Sequence, residues 1–188
     1  ILEGPEDLLN LTENTQPAIF LVSYSIFKLA QEEYGLNLQK AHFAAGHSLG
    51  EYSALCCFNA LNFEEVLLAL KKRGKFMQQA VPKGEGGMLA VLGSELKIVE
   101  EILKDNSKTY ECFVANDNSP QQIVVSGLKK DLIKFSEDLN KLKIKNLNLN
   151  VSAPFHCKLM ENATHNMKDV IEKLKINKVP KNIIHNYN

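Results

Sequence analysis

Two hydrophobic rhythms alternate along this chain. Ile19, Val22, Ile26, Leu29 and Ala30 recur at helical spacing. Thr15-Gln16-Pro17 opens that run, with Thr15 placed to cap and proline tolerated in a first turn. Gly35 stops it. Ahead of it, residues 1 to 15 are polar and helix-like around a Gly4-Pro5 turn. Ala41 to Ala45 is a short apolar run that predicts a strand, and Glu51 to Phe58 predicts a helix. Phe63 to Val81 predicts another helix, with Phe63, Val66, Leu67, Leu70, Gly74 and Met77 on one face.

Beyond the glycine-rich stretch Lys83-Gly84-Glu85-Gly86-Gly87 the rhythm changes. Met88 to Leu92 is strand-like, and Ser94 and Glu95 start a helix carrying Ile98, Val99, Ile102 and Leu103. Cys112 to Ala115 and Gln122 to Ser126 are strand-like, joined by a polar Asn-Asp-Asn-Ser-Pro turn. Leu128, Leu132, Phe135, Leu139 and Leu142 mark an amphipathic helix. Leu147, Leu149, Val151 and Ala153 alternate with Asn148, Asn150 and Ser152, as a half-buried strand should. The order β-α-β-β-α-β is that of a ferredoxin-like split unit. Residues 84–150 are therefore expected to form a small inserted subdomain, between a first large-subdomain part (1–83) and a return segment (151–188). In the return segment, Leu159, Ala163, Met167, Val170, Ile171 and Leu174 predict a helix, and Asn182 to His185 a strand after Pro180. Strands alternating with helices in the outer parts imply an α/β fold with a mostly parallel sheet.

Composition narrows the classes. The chain has 188 residues, 45% of them hydrophobic, enough for a real core. The 22 basic and 22 acidic residues balance, so neither nucleic acid nor an anionic membrane is expected as partner. No apolar stretch is long enough to span a bilayer. Cys56, Cys57, Cys112 and Cys157 have no zinc or C-x-x-C spacing and read as reduced core thiols, pointing to the cytoplasm or an organelle matrix. The chain begins at Ile1 and stops just past a strand, which reads as an internal piece of a longer protein.

The chemistry centres on Gly46-His47-Ser48-Leu49-Gly50, a G-x-S-x-G pentapeptide between a predicted strand and a predicted helix. That is the layout of a nucleophile elbow. A turn that sharp is expected to exclude side chains two residues before and after the serine. The following helix would aim its N–H groups at a developing oxyanion. A serine needs a base, and the histidines are His42, His47, His156, His165 and His185. His156, at the end of the alternating strand where the two subdomains rejoin, is the best placed; a capping or core histidine is the alternative reading. Arg73 lies in Lys71-Lys72-Arg73-Gly74-Lys75, a basic run that by itself reads as a solvated face. Cys157 beside His156 points to the opposite face of a strand and reads as a packed thiol.

The blocks Thr15-Gln16-Pro17-Ala18, Gly46 to Leu55, Arg73-Gly74 with Met77-Gln78, Ala115 to Gln122 running into Val125-Ser126-Gly127, and Val151 to His156 occur in one order. Together they resemble the malonyl-CoA:acyl-carrier-protein transacylases and related acyltransferase domains of fatty-acid and polyketide synthesis. The resemblance implies an α/β-hydrolase-like large subdomain carrying a ferredoxin-like small one. It implies Ser48 as nucleophile, His156 as base and then acid, Arg73 as partner of the malonyl carboxylate, and the Leu49 N–H as oxyanion donor. His47, Asn116 and Phe155 would line the substrate cleft; Gln16 could line the site too, but helix-start structure is the better reading. No metal and no bound cofactor are implied; malonyl-CoA is the substrate, acyl carrier protein the partner, and a monomer the expected state. Lys71, Lys72 and Lys75 would form a basic rim for the acidic carrier. The rivals are a polyketide-synthase acyltransferase domain, a serine esterase or thioesterase on the same elbow, and a non-enzymatic docking module.

Overall fold

The computed structural model of the protein describes residues 1–82, 84–151, 153–178 and 182–187. Lys83 of the glycine-rich stretch, Ser152 of the alternating run, Pro180 and Asn188 lie outside the described residues. In chain order the elements are α1 (Glu6–Leu9), α2 (Thr12–Tyr34), β1 (Phe43–Ala45), α3 (Gly50–Cys57), α4 (Phe63–Gln79), β2 (Gly86–Leu92), α5 (Leu96–Asp105), β3 (Cys112–Ser119), β4 (Gln122–Leu128), α6 (Lys129–Lys141), β5 (Lys145–Asn148), α7 (Glu161–Ile171) and β6 (Asn182–Ile184). Among the described residues the result is mixed α/β, with one parallel and one antiparallel sheet. The chain divides into two units, Ile1–Lys75 with Met167–Asn188, and Phe76–Asn166.

In the first unit β1 and β6 pair in parallel, with Ala45 opposite Ile184. Helix α2 begins three residues before the expected start. Thr15 does not cap it; its hydroxyl donates to the Leu9 and Leu11 carbonyls at 2.5 and 3.0 Å. Gly35 ends the helix in the left-handed region, φ 64°, as the sequence predicts. The buried face of α2 is also a correction. Thr12, Gln16 and Phe20 are buried, whereas Ile19, Val22, Ile26 and Leu29 stay 44–62% exposed. Aromatic packing selects the face: the Phe20 ring lies 5.2 Å from Phe63, and Tyr24 lies 4.8 Å from the same ring. Phe20, Val66 and Leu70 are fully buried in this cluster with Cys56 and Leu61, each worth roughly 1.5–3 kcal/mol of apolar burial.

The second unit contains a four-stranded sheet of order β3-β4-β2-β5, every neighbour antiparallel. Period-two alternation puts Leu89, Val91, Ile123 and Val125 on the face covered by Val99 of α5 and by Leu132, Phe135 and Leu139 of α6. Two expectations change here. The polar run Asn116 to Ser119 is not a turn: it continues β3, paired with β4 through register shifts, and leaves Pro120-Gln121 to make the reversal. The last strand is shorter and earlier than the alternating pattern implies. It covers Lys145–Asn148, and Leu147 is 60% exposed. Register explains this. Asn146 and Asn148 lie opposite Val91 and Leu89 on the helix-covered face, where Asn146 accepts a 2.7 Å hydrogen bond from Ser136. Leu147, opposite Ala90, is turned to the other face.

Candidate active site

The pentapeptide forms the elbow between β1 and α3. Ser48 adopts φ 52°, the left-handed conformation that a non-glycine residue takes up only at a cost. A Cβ at Gly46 would overlap the backbone carbonyl group of Gly50, so this glycine is a steric requirement of the turn. Gly50 is not: a Cβ there would meet nothing within 4 Å, which corrects the expectation that both flanking positions are closed. His47 is exposed, and its carbonyl accepts the Gly50 N–H at 2.8 Å. Leu49 stands just before the first turn of α3, and among the described residues its N–H donates none of the backbone hydrogen bonds. A donor so placed is available to an oxyanion.

Arg73 reaches this elbow from α4. Its Nη2 donates to Ser48 Oγ at 3.1 Å and its Nη1 to Gln16 Oε1 at 2.5 Å. Gln16 is buried and held in turn, its Nε2 donating to Thr12 Oγ1 at 3.0 Å. The close approach of α4 to the first turn of α2 makes this possible. Gly74 sits where a Cβ would lie 2.5 Å from Glu13 Cα and from the Thr12 carbonyl oxygen. Lys71, Lys72 and Lys75 are exposed, as a solvated basic face should be, but Arg73 is half-buried. Burial pulls its guanidinium below the usual value, with Tyr52 acting in the opposite sense. Burial likewise pushes the Tyr52 phenol up, with Arg73 pulling it back. Among the described residues no carboxylate lies within 4.0 Å of Arg73.

A further group comes from the chain just past β6. Asn186 Oδ1 accepts the Ser48 N–H at 2.9 Å. Asn186 Nδ2 donates to the Gly46 carbonyl at 2.7 Å and to Glu51 Oε2 at 2.9 Å. His185 Nδ1 lies 2.7 Å from Glu51 Oε1. Burial would raise the Glu51 carboxyl, but the hydrogen bonds from His185 and Asn186 and the His185 charge outweigh it and hold the group below its usual value.

His156, Phe155 and Asn116 belong to the second unit. His156 is exposed and has φ 57°. The loop before it is firmly seated. Pro154 is fully buried against Gly86, and the Phe155 carbonyl accepts the Ser126 hydroxyl at 2.6 Å. Phe155 packs partly against Met77, Val81 and Met160. Cys157 is half-buried and donates its thiol to the Pro154 carbonyl at 3.2 Å, and burial raises its pKa. Asn116 is half-buried beside a register shift in β3. No group of three or more His, Cys, Asp or Glu side chains that could hold a metal is found among the described residues.

The structure therefore brings Ser48, Leu49 and Arg73 together and adds Gln16, Glu51, His185 and Asn186. Gln16 could have been found by asking what buried partner a half-buried arginine has. Asn186 could have been found from topology, since ligand and catalytic groups of parallel sheets gather at the carboxyl ends of the strands.

The family model described as an acyl transferase domain matches residues 1–186. The malonyl CoA-acyl carrier protein transacylase of Haemophilus influenzae is 35% identical over 187 residues, covering 99% of this chain and 59% of that protein. The Bacillus subtilis protein of the same name is 39% identical over 178 residues, covering 94% of this chain and 55% of its own length. The crystal structure of the malonyl CoA-acyl carrier protein transacylase from Clostridium perfringens matches with a TM-score of 0.86 at 44% identity, over 95% of this chain and 55% of that one. The chain thus spans less than two thirds of the length of each of these relatives.

Proposed function

The chain belongs to the acyl transferase domain family, and from that premise we propose that its parent protein moves a malonyl group from coenzyme A to the phosphopantetheine thiol of acyl carrier protein. The observation that carries this reading is the Arg73 guanidinium: half-buried, held by the neutral oxygens of Gln16 and Ser48, and 3.1 Å from the serine hydroxyl. A fixed cation with neutral partners favours an anionic ligand. In a malonyl thioester a single methylene separates the reacting carbonyl from the carboxylate. A clamp for that carboxylate must therefore lie close to the nucleophile, and a longer diacid would overshoot it.

In the proposed reaction Ser48 Oγ attacks the thioester carbonyl while His156 takes its proton. The Leu49 N–H stabilises the tetrahedral oxyanion. The carbon–sulfur bond breaks, and the coenzyme A thiolate leaves with the proton returned by His156. The malonyl-serine ester is then attacked by the carrier thiol, whose proton passes to His156 and back to Ser48 as the ester bond breaks. Arg73 holds the malonate through both halves, and Gln16 orients Arg73. His47, Asn116 and Phe155 remain our assignments for the cleft wall. The order β3-β4-β2-β5, with α5 and α6 on one face, supports reading residues 84–150 as the ferredoxin-like subdomain, and the parallel pair β1–β6 supports an α/β-hydrolase-like sheet in the rest. No helix among the described residues is long and apolar enough to cross a membrane. A cytoplasmic monomer without a bound cofactor completes the reading.

The test compares transfer from malonyl-CoA and acetyl-CoA in the full-length wild type and Arg73→Ala. Hydrogen bonds to charged groups contribute about 1.5–3 kcal/mol each. Losing a two-pronged clamp should therefore cut the preference for malonyl-CoA by about a hundredfold or more and leave acetyl transfer little changed. An unchanged preference would refute the assignment. Free malonate without acylated carrier would point to the hydrolase rival.

A further inference from the structure

We propose that Asn186 is a positioning residue for the nucleophile: its side-chain amide holds the Ser48 backbone in the conformation that presents both Oγ and the Leu49 N–H to substrate. The inference rests on the reading of Ser48 as nucleophile and adds a residue to it. Ser48 occupies φ 52°, and a serine stays in that region only where its surroundings over-determine it. The elbow's own bonds, Gly50 N–H to the His47 carbonyl at 2.8 Å and Glu51 N–H to the Ser48 carbonyl at 3.3 Å, secure its exit into α3. Neither of these two bonds uses the Ser48 N–H or the Gly46 carbonyl. Asn186 satisfies both at once, accepting the first at 2.9 Å and donating to the second at 2.7 Å.

The orientation of that amide is fixed by chemistry. Nδ2 faces two acceptors, the Gly46 carbonyl and Glu51 Oε2, so a flipped amide would set its oxygen against two oxygens and its N–H groups against the Ser48 N–H. Glu51 is oriented in turn by His185 on its other oxygen. The three side chains form one chain of hydrogen bonds, running from the end of β6 to the N–H of the nucleophile. Because β6 is parallel to β1 and in register with it, Ala45 to Ile184, the two chain segments leave the sheet side by side. That register brings Asn186 alongside the elbow.

Without Asn186 the backbone at Ser48 can relax toward ordinary dihedral angles and carry Oγ and the oxyanion donor away together. A misplacement of about 1 Å can cost on the order of a hundredfold in rate. Arg73 loses its bond to Ser48 Oγ in that relaxation but keeps its anchor on Gln16, which lies outside the Asn186 network. The acylation rate constant should therefore fall while affinity for malonyl-CoA holds.

The experiment is single-turnover formation of the malonyl adduct in the full-length wild type, Asn186→Ala and Glu51→Gln, with thermal melts and hydrogen exchange of the peptide spanning residues 46–51. For Asn186→Ala we expect acylation slowed about ten- to a hundredfold, half-saturating malonyl-CoA within about threefold of wild type, and faster exchange in that peptide. Glu51→Gln should fall between Asn186→Ala and wild type. Acylation of Asn186→Ala within twofold of wild type overturns the proposal, and so does a loss no greater than its loss of folded protein. A wild type that forms no Ser48 adduct overturns the underlying reading instead, and is recognised before any variant is compared.

Discussion

Replacing Gly74 by alanine perturbs the site without changing any side chain of the proposed carboxylate clamp. The new Cβ would lie 2.5 Å from Glu13 Cα and from the Thr12 carbonyl oxygen, and 2.8 Å from the Glu13 nitrogen. All three are backbone atoms, so no side chain can rotate out of the way. Carbon atoms prefer about 3.5–4.0 Å, so α4 and the start of α2 must separate by about 1 Å or more. Overpacking of this kind costs roughly 1–3 kcal/mol. Alanine returns about 0.5–1 kcal/mol of helix propensity. The net loss of stability should be only about 0–2.5 kcal/mol, and the protein should fold. The neighbouring residue suffers more. Arg73 donates to Gln16 Oε1 at 2.5 Å and to Ser48 Oγ at 3.1 Å; a shift of about 1 Å takes the first bond to the edge of hydrogen-bonding distance and tilts the fork. Malonyl transfer should fall on the order of a hundredfold, far beyond what the melting curve accounts for. The assay pairs thermal unfolding by circular dichroism with transfer rates from malonyl-CoA and acetyl-CoA. A Gly74→Ala protein as stable and as malonyl-selective as wild type would show that the approach of α4 to α2 does not set the clamp.

The Glu51 carboxyl titrates below its ordinary value of 4.5 when folded. Its contribution to stability is therefore present above that value and lost as pH falls through the lower folded value. Denaturant midpoints measured down to about pH 3 should drop less steeply in Glu51→Gln than in wild type; parallel profiles would count against the His185–Glu51–Asn186 linkage. Burial pushes the Cys56 and Cys57 thiols up to about 11, Cys57 with help from Cys56, and burial and the Asp131 charge push Cys112 up to about 12. Cys56 is buried and Cys57 and Cys112 half-buried, so iodoacetamide near neutral pH should label all three far more slowly in the folded than in the unfolded protein; native labelling as fast as in the unfolded chain would contradict the raised values.

The elbow was legible because its chemistry is local: a strand, five residues and a helix, all contiguous. So was α6, whose Leu132, Phe135 and Leu139 keep helical spacing and are buried as a set. The misreadings share a tertiary cause. Asn116-Asp117-Asn118-Ser119 has the composition of a turn, yet pairing with β4 satisfies its backbone and draws it into a strand. Leu147 fits an alternating pattern, but register gives the helix-covered face to Asn146. On α2 two candidate faces compete, and the stack of Phe20 and Tyr24 on Phe63 decides in favour of the one carrying Gln16. Arg73 in a lysine-rich run looks solvated until Gly74 lets α4 meet Thr12 and Glu13. Asn186 follows a three-residue strand and carries no motif at all. Only the parallel register of β6 on β1 gives it meaning.

The most direct test of the central claim is peptide mass mapping after the full-length protein is mixed briefly with malonyl-CoA and quenched in acid. The account predicts one malonyl ester, on Ser48 within the peptide that includes residues 46–51, removed by free carrier thiol and absent from Ser48→Ala. An ester carried by another residue, or an adduct that persists in Ser48→Ala, would contradict it.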